Sequence, residues 1–252
     1  MAKLPPMARL HPEIERKIHA ALEDRRAKRR PSSRIALSEI GRCVRDLWAQ
    51  QHGIADERPP EGRALMTFDV GSAMERSVLE WLDWAQFSVQ ERAPDGHQWR
   101  VVMEDGIASG RLDGVIQWGN PRDRDFRLLE VKSAKAKKFE ELVEAGAYRV
   151  WNPVYYDQVQ AYMGGSQTTL GVEPLNDSLV IVVCKDDARI WAEMIRFDPT
   201  HYARLVEKAR IAMGDEMPNR PSEAKGKSSK FCMWCSRKEW CYSPVAGVEF
   251  DQ

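Results

Sequence analysis

Apolar residues recur every three or four positions in six segments, which predicts six helices because residues at this spacing share one helical face. The segments are residues 12–29, 38–54, 69–87, 135–145, 153–163 and 199–213. The second predicted helix carries Cys43 near its middle. We expect the fifth to end at Gly164 and Gly165, because glycine commonly terminates helices.

Five shorter segments are rich in β-branched and aromatic residues or alternate between apolar and polar positions, which predicts strands. They are residues 99–104, 107–118, 126–133, 178–185 and 189–197. Turn signals at residues 105–106 and 119–121 separate the first three strands, so we expect an antiparallel meander. This order of elements indicates one mixed α/β domain, and 252 residues suffice for one substantial core.

Basic and acidic residues balance at 38 each, which argues against a uniformly basic nucleic-acid binder. Basic clusters remain at residues 25–34, 132–138 and 225–230. The longest apolar run, residues 179–184, is far shorter than the roughly 20 residues that cross a bilayer. The first residues also lack the apolar segment of a signal peptide. We therefore expect a soluble, cytoplasmic protein without a membrane partner.

A group of carboxylates and one lysine is the strongest chemical signal. Glu130 and Lys132 project from the same side of their predicted strand, although an isolated pair of this kind is usually a solvated ion pair. Asp113 ends the polar alternation of the preceding strand, where a hairpin would place it beside Glu130. Glu75 lies on the inward face of its predicted helix. Carboxylates that meet in this way repel unless a cation lies between them, and oxygen ligands favour Mg²⁺ or Mn²⁺.

Four short motifs occur on the predicted elements in an order that resembles the PD-(D/E)XK nuclease superfamily, specifically its RecB-like and Cas4-like branch. The motifs are Gly71-x-x-x-Glu75, Gly110-x-x-Asp113, Glu130-x-Lys132 and Gln158-x-x-x-Tyr162. The predicted elements also suit the restriction-endonuclease-like αβββαβ core of that superfamily. The sequence departs from the branch at one position, since Glu75 stands where the branch usually has histidine.

The resemblance implies a metal-dependent DNA nuclease, an exonuclease that acts on single-stranded ends with 5′ to 3′ digestion. The residues implied as catalytic are Glu75, Asp113, Glu130, Lys132, Gln158 and Tyr162. The implied ligands of Mg²⁺ or Mn²⁺ are Glu75, Asp113, Glu130 and the backbone carbonyl of Val131. Lys132 would orient or help to deprotonate the attacking water, and Gln158 and Tyr162 would orient that lysine or the DNA. Arg111 is a candidate for a phosphate contact.

Five cysteines give a second chemical signal. Cys232, Cys235 and Cys241 supply three thiolates and need a fourth ligand. Cys43 is the candidate, because Cys184 lies in an apolar strand and is more typical of a core residue. Spacing leaves a [4Fe-4S] cluster, a structural zinc site and unligated thiols open. Cas4-like nucleases are similar in carrying one such cysteine before the nuclease motifs and three after them, so the resemblance implies the [4Fe-4S] cluster.

The resemblance therefore implies one nuclease domain over residues 1–252, with a basic arm over residues 1–34 and a core over residues 65–215. Residues 35–58 and 228–252 would form a helical iron-sulfur lobe. DNA is the expected partner, in recombination, repair, CRISPR adaptation or phage DNA processing, together with a second copy of the chain or a helicase or recombination protein. Two alternatives are a catalytically inactive DNA-binding or scaffold subunit with the same fold, and a zinc-stabilised regulator that uses its basic N-terminal helix.

Overall fold

The computed structural model describes residues 11–28, 33–119, 125–169 and 175–243, and these residues form eight helices and eight strands. The helices are α1 (His11–Ala27), α2 (Val44–Gln51), α3 (Gly62–Trp84), α4 (Ala136–Ala145), α5 (Tyr148–Trp151), α6 (Pro153–Thr169), α7 (Pro199–Met213) and α8 (Lys238–Cys241). The strands are β1 (Ile35–Ala36), β2 (Ser88–Gln90), β3 (Arg100–Val102), β4 (Ala108–Arg111), β5 (Gly114–Gln117), β6 (Phe126–Ala134), β7 (Asp177–Cys184) and β8 (Ile190–Arg196).

Two sheets meet at the chain segment around Asp113. The larger sheet has the order β2, β5, β6, β7, β8, with β6 and β7 parallel and the other neighbours antiparallel. The smaller sheet has the order β1, β4, β3. The chain leaves the smaller sheet after Arg111 and enters the larger one at Gly114. The larger sheet and its flanking helices follow the αβββαβ order through α3, β2, β5, β6, α6 and β7.

Strand β6 separates two apolar cores because its side chains alternate between the two faces of the sheet. Leu128 and Ala134 lie in the larger core, which includes residues of α6 and α7. Leu129 and Val131 lie in the smaller core, which α3 closes. The predicted sides of this strand are confirmed, as is the mixed α/β fold with helices against its sheets. The iron-sulfur lobe and the division into arm, lobe and core stay predictions.

The helix predicted over residues 38–54 is wrong in its first half. Leu37–Glu39 form a 3-10 turn, and α2 begins only at Val44, so that Cys43 is its N-cap rather than a mid-helix residue. The chain approaches α6 closely at this point, since a Cβ on Gly41 would lie 2.6 Å from the Cα of Val154. This close tertiary contact, which helical periodicity does not report, accompanies the late start of α2.

The predicted end of the fifth helix is also wrong, because α6 continues through Gly164 and Gly165 to Thr169. Both glycines are positions of close packing. A Cβ on Gly164 would overlap the ring of Tyr202, and one on Gly165 would lie 3.2 Å from the backbone oxygen of Val102. The pair therefore lets neighbouring elements approach α6 instead of ending it.

The meander predicted from the first three strands is wrong in its pairing. The segment over residues 107–118 divides into β4 and β5, which belong to different sheets. Strand β3 pairs only with β4, and β5 pairs instead with β2, which the sequence did not predict. Leu112, between β4 and β5, is fully buried in the larger core. The division of this segment places Asp113 at the junction of the two sheets.

The ends of the described ranges limit two of the sequence predictions. Helix α1 is present as expected and packs on α3, where the Gly62 N–H donates to Glu23 Oε1 at 2.6 Å. The remainder of the basic arm, residues 1–10 and 29–32, and residues 244–252 of the predicted lobe lie outside the described residues. Within the described part of the chain, every helix is too short or too polar to cross a lipid bilayer.

Alanine substitutions at two helical glycines should have opposite effects on stability. Gly164→Ala should lower the free energy of unfolding by about 1–3 kcal/mol, because the new methyl group overlaps a buried ring. The matched control is Gly71→Ala in α3, where the nearest side-chain atom, Ser133 Oγ, lies at 3.6 Å. That change should raise stability by up to about 1 kcal/mol through helix propensity. Denaturant unfolding measures both, and equal effects would contradict the packing described for Gly164.

Candidate active site

The structure brings the predicted carboxylates and lysine together where the two sheets meet. Glu130 and Lys132 lie on β6, and Glu130 is 0% exposed. Its Oε1 atom accepts a hydrogen bond from Gln158 Nε2 at 2.8 Å and forms a short ion pair with Lys132 Nζ. Asp113 reaches the same strand, since its Oδ2 atom accepts from the Val131 N–H at 2.8 Å. Both acids and the lysine thus belong to one contact network.

Glu75 joins this network from α3, where the charges of Asp113 and Lys132 act on it. It is half-buried, whereas Arg76, Glu80 and Asp83 are exposed, as its predicted inward face requires. Burial is the main cause that raises the pKa of Glu75 to about 7, and the negative charge of Asp113 adds to the rise. The two carboxyl groups therefore lie close enough to disfavour ionising together.

One carboxylate oxygen of Glu130 makes no hydrogen bond to the described residues. This atom, Oε2, is buried. Burial raises the pKa of Glu130, and the charges of Asp113 and Glu75 raise it further, while Lys132 opposes the shift. A buried carboxylate oxygen without a partner is costly, and a bound cation would offset that cost.

The donor set fits a hard divalent cation but is not arranged as a complete ligand shell. In residues 11–28, 33–119, 125–169 and 175–243, no three histidine, cysteine, aspartate or glutamate side chains are close enough together to hold a metal ion. The oxygens of Asp113 and Glu130, with one of them unpaired, suit Mg²⁺ or Mn²⁺ by chemistry. The predicted ligand set of Glu75, Asp113, Glu130 and the Val131 carbonyl therefore stays a prediction.

Lys132 is held in its charged form. Burial alone would lower its pKa, but the ion pair with Glu130 and the charge of Asp113 raise it above the ordinary value for lysine. Its ammonium also lies 5.2 Å from the ring centroid of Tyr155, a distance typical of a cation-π contact. The raised pKa favours the charged form of the lysine, while its predicted role toward the attacking water stays a prediction.

The last predicted motif lies on one buried face of α6. Gln158 bonds Glu130 directly, and Tyr162 is buried close enough to Glu130 and Asp113 to be affected by their charges. Burial raises the pKa of Tyr162, and the charge of Glu130 raises it further. A Cβ on Gly110 would lie 2.5 Å from Tyr162 Cε1, so the glycine of the second motif makes room for this ring. The second and fourth motifs are therefore in contact through Gly110 and Tyr162. The catalytic roles of Gln158 and Tyr162 stay predictions.

Two tyrosines of the site were missed by the sequence analysis. Tyr148 and Tyr155 pack together with a centroid distance of 6.4 Å, and each also contacts Trp151. The Tyr148 hydroxyl is buried and has no hydrogen-bond partner among the described residues. Burial raises the pKa of Tyr148 well above its ordinary value, with the charge of Glu130 as the next cause. The density of aromatic residues at 148–156 was the available signal, but it does not indicate where the hydroxyl groups lie.

The four predicted cysteine ligands line one cleft between the start of α2 and the C-terminal segment. They are Cys43, Cys232, Cys235 and Cys241. Burial raises the pKa of the Cys235 thiol to about 12, and the charge of Asp46 contributes to the rise. Cys184 is fully buried in the larger core, as predicted. The cleft brings the four residues to one place, although the described side chains do not form a metal site there.

Comparisons with known proteins agree on the family and the fold. The model of the PD-(D/E)XK nuclease superfamily matches residues 2–242. Curated protein sequences give no match. The crystal structure of LHK-Exo in complex with dAMP is similar, with a TM-score of 0.50, 13% identity and coverage of 79% of this chain and 90% of that one. At this identity the similarity shows a shared fold only.

Two further crystal structures are similar at lower scores. An alkaline exonuclease, LHK-Exo, from Laribacter hongkongensis gives a TM-score of 0.49 at 13% identity, covering 79% of this chain and 90% of that one. SSO0001 gives 0.48 at 15% identity, covering 92% and 96%. The predicted superfamily is confirmed by the family match. The RecB-like and Cas4-like branch stays a prediction.

Glu75→Gln should weaken the pH dependence of stability in metal-free protein. The folded-state pKa of about 7 exceeds the ordinary value of 4.5, so the folded chain keeps a proton that the unfolded chain releases first. Stability from this group is present below the lower value and is lost as pH rises through the higher one. Thermal unfolding in EDTA, from about pH 5 to about pH 8, measures the slope.

The control for this prediction is Glu80→Gln, at an exposed position of α3. This change should leave the slope at the wild-type value. A Glu75→Gln protein whose unfolding temperature falls with pH as steeply as that of the wild type would show that Glu75 is not buried against Asp113.

Proposed function

This chain belongs to the PD-(D/E)XK nuclease superfamily, and we propose that it is a metal-dependent DNA exonuclease that acts on single-stranded ends. The observation that carries the proposal is the buried Glu130 carboxylate. One of its oxygens is bonded to Lys132 and Gln158, and the other has no partner among the described residues. Digestion from the 5′ end is proposed on the resemblance to Cas4-like nucleases alone.

The proposed roles follow from the contacts. A divalent cation bound at this site would acidify water and offset the charge of the scissile phosphate. The free Oε2 of Glu130 and the carboxylate of Asp113 would hold it, with Glu75 completing the anionic set after losing its proton. Lys132, fixed as a cation by Glu130, would stabilise negative charge that develops on the phosphate oxygens.

Gln158 and Tyr162 would then act as positioning residues. The Gln158 amide fixes one oxygen of Glu130, which leaves the other directed to a ligand. The buried ring of Tyr162 packs against Gly110 of β4 and would help to hold that strand in place. Neither residue needs to touch the substrate for this role.

A catalytically inactive DNA-binding subunit is the second candidate. Glu75 in place of the histidine of the resembled branch favours it, as does the lack of a three-carboxylate ligand group among the described residues. The burial of an acid and a lysine together argues against it, because desolvating two charges costs several kcal/mol per ion and serves no purpose in a scaffold.

Lys132→Met should abolish metal-dependent cleavage, with a loss of about a hundredfold or more in rate. Methionine keeps the apolar stem and removes the charge. Because Glu130 then loses its ion-pair partner, the variant should be less stable, and circular dichroism is recorded at the assay temperature to show that it is folded. The assay is product release from end-labelled single-stranded DNA with Mn²⁺, repeated after EDTA. Lys17→Met is the control, since Lys17 is exposed on α1 and, among the described residues, forms an ion pair with Glu13.

The outcomes of this assay separate the two candidates. Full activity of Lys132→Met would remove the lysine from the mechanism. Binding of labelled DNA by the wild-type protein without any metal-dependent product would instead favour the inactive subunit.

We further propose that Cys43, Cys232, Cys235 and Cys241 hold a [4Fe-4S] cluster with a structural role. The support is their common cleft and the resemblance to Cas4-like nucleases. Thiolates are the ligands of such clusters, and metal binding would deprotonate thiols whose pKa burial raises in the free protein. A reducing cytoplasm is the compartment that suits this cofactor.

Cys43→Ser should remove iron from anaerobically purified protein and lower its unfolding temperature. Iron, sulfide and zinc analysis together with the visible absorption spectrum measures the change. Cys184→Ala is the control, because Cys184 lies in the core and outside the cleft, and it should keep the wild-type metal content. Zinc without iron in the wild-type protein would replace the cluster by a structural zinc site, and absence of both would leave the thiols unligated.

A further inference from the structure

A groove bordered by three arginines lies next to the chain segment that carries Asp113. Arg92 borders it from the loop after β2, and Arg100 and Arg111 border it from β3 and β4. All three side chains are exposed. Arg111 precedes Asp113 by two residues, which is about 6.6 Å along an extended chain. The groove is therefore close along the chain to one carboxylate of the candidate active site.

The groove is a built feature of the sheet junction rather than a loose loop. The Trp99 indole N–H donates to the Gln90 backbone oxygen at 2.9 Å, and the Gln98 amide donates to the Leu112 oxygen at 2.9 Å. The Leu112 N–H in turn donates to the Trp99 oxygen at 3.0 Å. These bonds fix the wall of the groove to the residue immediately before Asp113.

The arginines bordering the groove repel one another and lack acidic partners. Arg100 and Arg111 are directly opposite in the antiparallel pairing of β3 and β4, an arrangement that is unfavourable for like charges. Their hydrogen-bond partners, where present, are neutral: Arg100 donates to Ser109 Oγ at 3.1 Å, and Arg92 donates to the Gly96 oxygen at 2.9 Å. Within the described residues, none of the three arginines forms an ion pair.

One acidic residue, Asp95, does line the groove, and its carboxylate is hydrogen-bonded within the same loop. Asp95 Oδ1 accepts from the His97 backbone N–H at 2.9 Å. With histidine neutral, three arginines and one aspartate leave an excess of two positive charges. A surface with an excess of guanidinium groups suits an anion with several oxygens, since guanidinium pairs with phosphate through parallel hydrogen bonds.

We propose that the groove of Arg92, Arg100 and Arg111 binds the phosphate backbone of the DNA strand that enters or leaves the active site. The inference rests on the proposed nuclease function and adds the path of the substrate. Because the arginines would contact phosphates and not bases, binding through the groove is independent of base sequence. The groove holds the strand beside Asp113 and thereby sets the position of the bond presented to the carboxylates.

The test measures binding separately from cleavage. Fluorescence anisotropy of a labelled oligo-dT in EDTA, over a series of salt concentrations, compares the wild type with the double variant Arg100→Gln and Arg111→Gln. The variant should bind roughly tenfold more weakly at moderate salt. The slope of log affinity against log salt should fall in magnitude by about 1.4, or about 0.7 for each lost phosphate contact on a single strand.

Two controls keep the result interpretable. Arg196→Gln removes an exposed arginine at the far edge of the larger sheet, on β8, and should change neither affinity nor slope. Arg92→Gln lies in the loop, outside both strands, and should lower the slope by about 0.7 even if the double variant fails to fold. An oligonucleotide with uncharged methylphosphonate linkages should bind the wild type and the double variant equally weakly.

The outcomes distinguish this inference from the proposed function. If the folded double variant and Arg92→Gln both kept the wild-type affinity and salt slope, the proposed DNA binding by the groove would be wrong. With Mn²⁺, the double variant should show a raised KM and a kcat near that of the wild type, whereas a lowered kcat with unchanged KM would also overturn it. Absence of cleavage by the wild-type protein would instead refute the proposed nuclease activity. The anisotropy result would still show whether the groove binds DNA.

Discussion

The burial of the Glu130 carboxylate is the constraint on which the candidate site depends. The side chain is 0% exposed, in the middle of a sheet that is covered on both faces. Desolvation of a carboxylate costs several kcal/mol, and the ion pair with Lys132 together with the Gln158 hydrogen bond offsets that cost on one oxygen only. The second oxygen has no hydrogen-bond partner among the described residues, so its desolvation is not offset there.

The junction of the two sheets determines what can reach that carboxylate. Because the chain leaves the smaller sheet at Arg111 and enters the larger one at Gly114, Asp113 lies between them and bonds the backbone of β6. The same junction begins at Arg111, which also borders the arginine groove. One change of sheet thus supplies both an acidic centre and a basic surface next to it, although the chain as a whole carries no net charge.

The region around α2 and the C-terminal segment are joined through ion pairs between side chains. Asp46 on α2 is buried, and it pairs with Arg42 at 2.6 Å and with Arg237 of the C-terminal segment at 2.9 Å. Arg237 also pairs with Asp56 at 2.8 Å. These contacts hold the C-terminal cysteines near Cys43, so a metal would bind residues already brought together by the fold.

Much of the site could be predicted from local sequence, because alternation and helical periodicity report which face of an element a side chain occupies. Alternation along β6 placed Glu130 and Lys132 together, and periodicity along α3 separated Glu75 from its exposed neighbours. The order of the motifs, with the element order, was sufficient for the superfamily. These properties depend on spacing within a single segment, which the chain carries before it folds.

Tertiary structure decided the features that depend on which segments meet. Periodicity does not report that Gly164 lies against Tyr202 or that Gly41 lies against Val154, so the end of α6 and the start of α2 were misplaced. Contacts between distant segments also decide how residues 107–118 divide between two sheets and where the Tyr148 hydroxyl lies. A residue's face is set by its own element, whereas its partner is set by packing between elements far apart in the chain, and only the folded structure contains that information.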